Sequence, residues 1–232
     1  MYILAADTAT RSCSVAITCD ETPIAELNLF RRQTHSRHLL DMIHRTAEFS
    51  GLRLSDLDGF AINRGPGSFT GLRIGVGCIK GLAFALNKPV VGVSSLKALA
   101  FQAMPSASEP GKLICPVLDA RKKEIYIGLF KYKGEQLIQE HEEGVCRPDQ
   151  IGQIVKEPCF FIGDGAVLYK KTITEILGDA AYFAPSNLHT INARTLACIA
   201  LPHFRENETD GLATLTPAYI RKSDAELKCE NR

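Results

Sequence analysis

One order of elements runs through this 232-residue chain twice, and few architectures accommodate it. Apolar runs at 2–7, 13–19 and 24–30 read as three strands. A segment of helical period follows at 36–50, with Leu39, Leu40, Ile43 and Ala47 on one face. A strand at 59–63, a helix at 72–86, a strand at 89–94 and a short helix at 96–103 complete the first half. The Pro/Ser/Gly-rich stretch from Met104 to Gly111 reads as a connector, after which the pattern restarts. Strands at 113–119, 124–133 and 135–146 precede a helix at 149–156, a strand at 159–163, a helix at 167–177, a strand at 180–183 and a helix at 193–204. Both halves read β-β-β-α-β-α-β-α, and the first strand of each ends on an aspartate, Asp7 and Asp119.

A hairpin followed by β-α units builds a mixed sheet with helices packed on it, so the expected class is α/β. Two such halves resemble the duplicated ribonuclease-H-like architecture of the actin/hexokinase (ASKHA) superfamily. The expected lobes are 1–104 and 112–206, with a tail at 207–232 packing back on the N-terminal lobe. Lys and Arg number 27 against 26 Asp and Glu, a formal charge of +1. A stand-alone nucleic-acid binder should be clearly basic, so any RNA contact is expected to run through another subunit. The start carries no basic-then-apolar leader, and no apolar run reaches the roughly 18 residues of a membrane span, so the expected location is cytoplasmic without membrane contact. The eight cysteines never form C-x-x-C and read as small thiols in a reducing compartment.

The segment Arg64-Gly65-Pro66-Gly67-Ser68-Phe69-Thr70-Gly71-Leu72-Arg73-Ile74-Gly75 sits between a strand and a helix, where glycine lets backbone approach a partner closely. It is not a P-loop, because Gly71 is followed by Leu rather than Lys. The helix beyond it carries two apolar rows. Leu72, Val76, Ile79, Ala83 and Leu86 form one, and Ile74, Cys78, Leu82 and Ala85 form another. One row suffices to cover a sheet. The second row therefore wants a partner or deeper burial, and Gly71, Gly75, Gly77 and Gly81 would let a second helix come close.

Asp7-Thr8-Ala9-Thr10 ends the first strand, where a carboxylate could hold Mg²⁺ or simply satisfy turn N–H groups. Asp119 opens the cationic turn Asp119-Ala120-Arg121-Lys122-Lys123, and Asp164 suits a nucleotide contact or a helix cap. With Arg64 these residues, Asp7, Thr8, Thr10, Asp119 and Asp164, are the candidate nucleotide or anion contacts. His35 and His38 lack a third ligand at a supporting spacing, so no metal site is expected.

The chain resembles the TsaB (YeaZ) family through Ile3–Thr10 with Cys13–Ala16, His35-Ser36-Arg37-His38-Leu39-Leu40, Arg64–Gly75, Leu118-Asp119-Ala120-Arg121 and Pro217-Ala218-Tyr219-Ile220-Arg221 followed by Asp224-Ala225-Glu226. The resemblance implies a role in forming threonylcarbamoyladenosine in tRNA beside the transferase TsaD, with the ATPase TsaE joining the pair. TsaD carries a His-x-x-x-His metal motif where this chain reads Ser94-Ser95-Leu96-Lys97-Ala98-Leu99, which implies a non-catalytic subunit. No tightly bound cofactor is expected, although ATP or ADP could sit at the partner interface. The expected docking surface joins His38, Leu39, Met42 and Thr46 to Leu72, Val76, Ile79 and Ala83, and would serve a homodimer when TsaD is absent. The rival reading is a nucleotide-binding kinase or ATPase working in the cleft between the lobes.

Overall fold

The computed structural model describes residues 1–30, 35–104, 113–134 and 136–221. The first half forms β1 (Tyr2–Asp7), β2 (Ser12–Cys19), β3 (Thr22–Phe30), α1 (Leu39–Ser50), β4 (Gly59–Gly65), α2 (Phe69–Leu86), β5 (Val90–Ser94) and α3 (Ser95–Gln102). The second forms β6 (Leu113–Arg121), β7 (Glu124–Lys133), β8 (Gln136–Cys146), α4 (Ile151–Ile154), β9 (Cys159–Ile162), α5 (Asp164–Leu168), α6 (Lys170–Leu177), β10 (Ala181–Phe183) and α7 (Ala193–Arg205). The repeated order is the one read from the sequence, except that the helix expected at 167–177 is broken into α5 and α6.

The duplication extends to topology. One sheet runs β3-β2-β1-β4-β5 and the other β8-β7-β6-β9-β10. In each, the first strand pairs antiparallel with the second and parallel with the fourth. Asp7 ends β1 and Asp119 lies two residues before the end of β6, and each accepts the backbone N–H two residues further on.

Alternation along β1 feeds two cores. Ile3 and Ala5 face a core shared by the lobes, whereas Leu4 and Ala6 face a core closed by α1 and α2. The shared core explains why the lobes are not independent. Helix α3, from the first half, packs on β6 and β7, while α7, from the second, packs on β1 and β2. Leu96, Leu99, Leu196 and Ala200 bury their side chains there together. A third core under β6, β7 and β9 takes Ile151, Val155 and Ile173 from α4 to α6.

Beyond α7 the chain returns along the first lobe. Asp210 bridges to Val90 at the β5 edge, and its carboxylate accepts the Gly92 N–H at 2.7 Å. The Ala218 N–H then donates to the Arg64 carbonyl at 2.6 Å. Residues 219–221 cross to the second lobe, where the Arg221 guanidinium reaches the Ala120 carbonyl at 2.7 Å and Glu124 at 3.1 Å.

One sequence expectation on apolar length is corrected. Helix α2 is 18 residues long with a mean hydropathy of 1.4, long and apolar enough by composition to cross a membrane. Its second apolar row accounts for this, because one row alone packs on the sheet. The seven described cysteines are unpaired, and Cys13, Cys115 and Cys159 are fully buried.

Candidate functional site: a docking groove and an interlobe cleft

The glycine-rich segment is built against the turn after β1. The Ser68 N–H donates to the Ala9 carbonyl at 2.7 Å, and a Cβ on Gly67 would collide with Ala9. One helical turn on, the Thr8 hydroxyl donates to the Gly71 carbonyl at 2.8 Å, and a Cβ on Gly75 would overlap the Thr8 Oγ1. Ser68 caps α2 by accepting the Gly71 N–H. Two of the glycines thus serve backbone approach within the lobe, not the approach of a second helix. Gly77 and Gly81 differ, because a Cβ at either position would meet nothing.

The same interlock decides which apolar row of α2 faces inward. Leu72, Val76, Ile79 and Ala83 are buried against the sheet, as are Leu39, Met42 and Thr46 of α1. The row expected to meet a partner is therefore core, and only half-buried His38 of that set approaches the surface. This corrects the expected surface. A side chain at 0% exposure, such as Ile79, has no face left to offer. The available surface is the other row. Ser36, Leu40, Ile74, Gly77, Cys78, Gly81 and Leu82 line a groove of about 360 Å³ between α1 and α2, with Leu40 61% exposed. Phe84, 80% exposed, extends the apolar area toward the end of α2.

The candidate anion contacts separate into three places. Asp7 and Thr8 are fully buried beneath the glycine-rich turn. One Asp7 oxygen accepts from Asn63 Nδ2 at 2.6 Å and from the Ala9 N–H at 3.1 Å, while the other has no protein partner. Burial pushes its carboxyl up to about 7, against the lowering effect of those hydrogen bonds. Asn63 relays this network onward, accepting from the Ser95 hydroxyl and the Gly65 N–H. Arg64 lies elsewhere, in a cavity near Ser94, Lys97 and Glu143 where Ser94 hydrogen-bonds Glu143 across the lobes. Thr10, Asp119 and Asp164 alone meet on the cleft between the lobes, a cavity of about 610 Å³. The Asp119 N–H donates to Asp164 Oδ1 at 3.0 Å, and burial still holds the Asp164 carboxyl above its ordinary value. So Asp7, Thr8 and Arg64 are displaced from the expected site by the fold itself.

Ser94 and Ser95, at the start of α3, are both engaged within the fold. Ser94 caps α3 by accepting the Lys97 N–H at 3.2 Å, and Ser95 is bonded to Asn63. Among the described residues no group of three His, Cys, Asp or Glu side chains is close enough to share a metal ion. The sequence reading raised Arg73 only as a minor anion contact and missed Arg11 and Arg221; the three line the cleft from three separate segments, and Tyr219 holds Arg73 there. Only the conjunction of basic residues on the loop, the hairpin and the tail could have hinted at it.

The two lobes of equal topology, each with an aspartate near the end of its first strand, define a duplicated α/β protein of the actin/hexokinase (ASKHA) type. A family model described as "TsaD: tRNA N6-adenosine threonylcarbamoyltransferase" matches residues 30–229. The chain is 32% identical over 234 residues to the tRNA threonylcarbamoyladenosine biosynthesis protein TsaB of Bacillus subtilis (strain 168), covering 98% of this chain and 97% of the relative. It is 31% identical to the TsaB of Escherichia coli (strain K12), covering 97% and 96%. A crystal structure of a Pseudomonas aeruginosa protein with similarity to peptidase YeaZ superimposes with a TM-score of 0.81 at 29% identity, covering 95% of this chain and 99% of that one. The chain belongs to the TsaB/YeaZ family of tRNA threonylcarbamoyladenosine biosynthesis.

Proposed function

We propose that this chain is a non-catalytic subunit that binds the transferase TsaD and, through it, TsaE. The observation that carries this reading is the α1–α2 groove. It presents Leu40, Ile74 and Leu82 beside two bare glycines on a helix whose other row is already buried. A bare glycine pair lets an incoming helix approach to backbone distance, and apolar walls release water when covered. Family membership is consistent with TsaD as that partner, since TsaB relatives are named for threonylcarbamoyladenosine biosynthesis and the matching family model is described as the TsaD transferase. The absence of imidazoles at 94–99 supports a supporting role rather than a catalytic one. A second copy would use the same groove when TsaD is absent, and tRNA would be held by the assembly rather than by this nearly neutral chain. The subunit would work in the cytoplasm without a resident cofactor; any ATP or ADP at the partner interface would be shared with TsaD.

Leu82→Glu tests the groove. Placing a carboxylate in an apolar contact leaves it unpaired and desolvated, so affinity for TsaD should fall by about tenfold or more while the circular dichroism spectrum is retained. Reconstituted tRNA modification should require the wild-type chain and fail with the variant. Undiminished TsaD affinity, or transferase or ATPase turnover by this chain alone, would refute the proposal.

A further inference from the structure

Helix α2 has three faces with three different occupants. One row packs on the sheet, and the row of Ile74, Cys78 and Leu82 lines the groove. The third face, Phe69, Arg73 and Lys80, repeats at spacings of four and seven residues and is gripped by residues 210–221, a strap beyond α7. Tyr219 stacks on Phe69 with ring centroids 4.6 Å apart, and its hydroxyl accepts from Arg73 Nε at 2.8 Å. Lys80 Nζ donates to the Leu215 carbonyl at 2.9 Å, while the Leu215 side chain is buried in the core closed by α1 and α2. The sequence makes room for this grip. A Cβ on Gly65 would stand 2.8 Å from the Ala218 carbonyl oxygen, and one on Gly92 would stand 2.9 Å from Leu215 Cδ1. Gly65 belongs to the glycine-rich segment, so part of that motif serves the passage of the strap.

The far end of the strap reaches the second lobe through Arg221. Its guanidinium, 12% exposed, donates to the Ala120 carbonyl at 2.7 Å and lies 3.1 Å from the Glu124 carboxylate. Those two partners bracket the turn between β6 and β7. Arg121, Lys122 and Lys123 of that turn all hold left-handed backbone, with φ of 64°, 52° and 63°. Side chains other than glycine rarely keep that conformation unless their surroundings impose it. A guanidinium bound on both sides of the turn supplies such a constraint.

We infer that residues 210–221 are a coupling strap, linking helix α2, and hence a partner seated on it, to the 121–123 turn of the second lobe. The two arrangements of the strap are a turn clamped by Arg221 and a turn released from it. A stiff helix and a strap pinned at several points join the two ends, so a restraint at one is felt at the other. A partner on the groove fixes the helix that the strap grips and so favours the clamped turn. By linkage, a released turn weakens that partner by the same factor. The link between α2 and the turn belongs to the isolated chain, whereas its response to TsaD rests on the docking reading.

Amide hydrogen exchange on the full chain, read by mass spectrometry, tests both levels. Arg221→Gln removes the clamp and leaves every groove residue in place. In the isolated chain it should speed exchange at 119–124 by about tenfold and in the first two turns of α2 by about threefold, with β2 and β3 unchanged. Tyr219→Phe keeps the ring stack and loses only the acceptor for Arg73, so it tests the strap from the other end even if Arg221→Gln fails to fold; exchange at 119–124 should rise by about twofold. TsaD added to the wild type should slow exchange at 119–124 by about threefold, Arg221→Gln should abolish that slowing, and its TsaD affinity should be about threefold lower. Unchanged exchange in α2 with Arg221→Gln and at 119–124 with Tyr219→Phe would overturn the coupling. Equal slowing by TsaD in the wild type and Arg221→Gln would overturn it as well, because the partner would then touch the turn directly. Coupling in the isolated chain beside undiminished TsaD affinity of Leu82→Glu would instead refute the docking reading and uphold the link between α2 and the second lobe.

Discussion

The same substitution at three glycines of α2 should have opposite consequences, and the contrast tests both packing and docking. A Cβ at Gly77 or Gly81 meets nothing within 4 Å, and both residues lie inside an 18-residue helix. Glycine costs about 0.5–1 kcal/mol relative to alanine in such a position, so Gly77→Ala with Gly81→Ala should add about 1–2 kcal/mol. For a chain of this size that corresponds to a rise in Tm of about 2–8 °C. At Gly75 the same methyl would overlap Thr8 Oγ1 and sit 3.2 Å from Ile62 Cδ1. The Thr8 hydroxyl is buried and committed to the Gly71 carbonyl, so it cannot move without losing that bond. Overpacking and a strained buried hydrogen bond together should cost about 2 kcal/mol or more. Differential scanning calorimetry reads both signs, and titration against TsaD reads docking. The double variant should be more stable than the wild type and bind TsaD more weakly, because two methyls now stand where an approaching helix needs bare backbone. A stabilised variant with unchanged TsaD affinity would remove the groove from the docking surface. A destabilised one would refute the account of how α2 sits.

Two further outcomes follow from buried groups. Asp7 has a folded-state carboxyl raised from 3.8 to about 7, so its contribution to stability is fully present below about pH 4 and is lost as pH rises toward and through 7. Asp7→Asn should remove that loss, making the variant gain on the wild type by up to about 4 kcal/mol between pH 4 and pH 8 in urea unfolding series; parallel pH profiles for the two proteins would refute the burial argument. Ile79→Glu should cost several kcal/mol and lower soluble yield whether or not TsaD is present, because the carboxylate enters the core closed by α1 and α2; a stable, folded variant impaired only in TsaD binding would restore Ile79 to the interface.

The element order was legible because it depends on local periodicity and on turn residues, which a linear reading sees directly. Strands β1, β7 and β10 and helices α2, α3 and α7 fall within three residues of their expected ends. The break between α5 and α6 at Tyr169 was not legible, since nothing in the apolar period interrupts there. Which row of α2 is buried was misread for a different reason. Leu72–Ile79 and Ile74–Leu82 satisfy the helical period equally well, so pattern alone cannot say which of them meets the sheet.

What the sequence determined alone was the duplicated α/β order, the two aspartates near the ends of the first strands and, through its motifs, the family. Tertiary structure decided the rest through contacts made at long range. Thr8, sixty-seven residues before Gly75, excludes any side chain there and so sets the rotation of α2 about its axis. The tail shapes the cleft, because Tyr219 holds Arg73, 146 residues upstream, and Arg221 reaches the Ala120 carbonyl, 101 residues upstream. A side chain's period is local, but the face it presents is settled by whichever distant neighbour leaves it room.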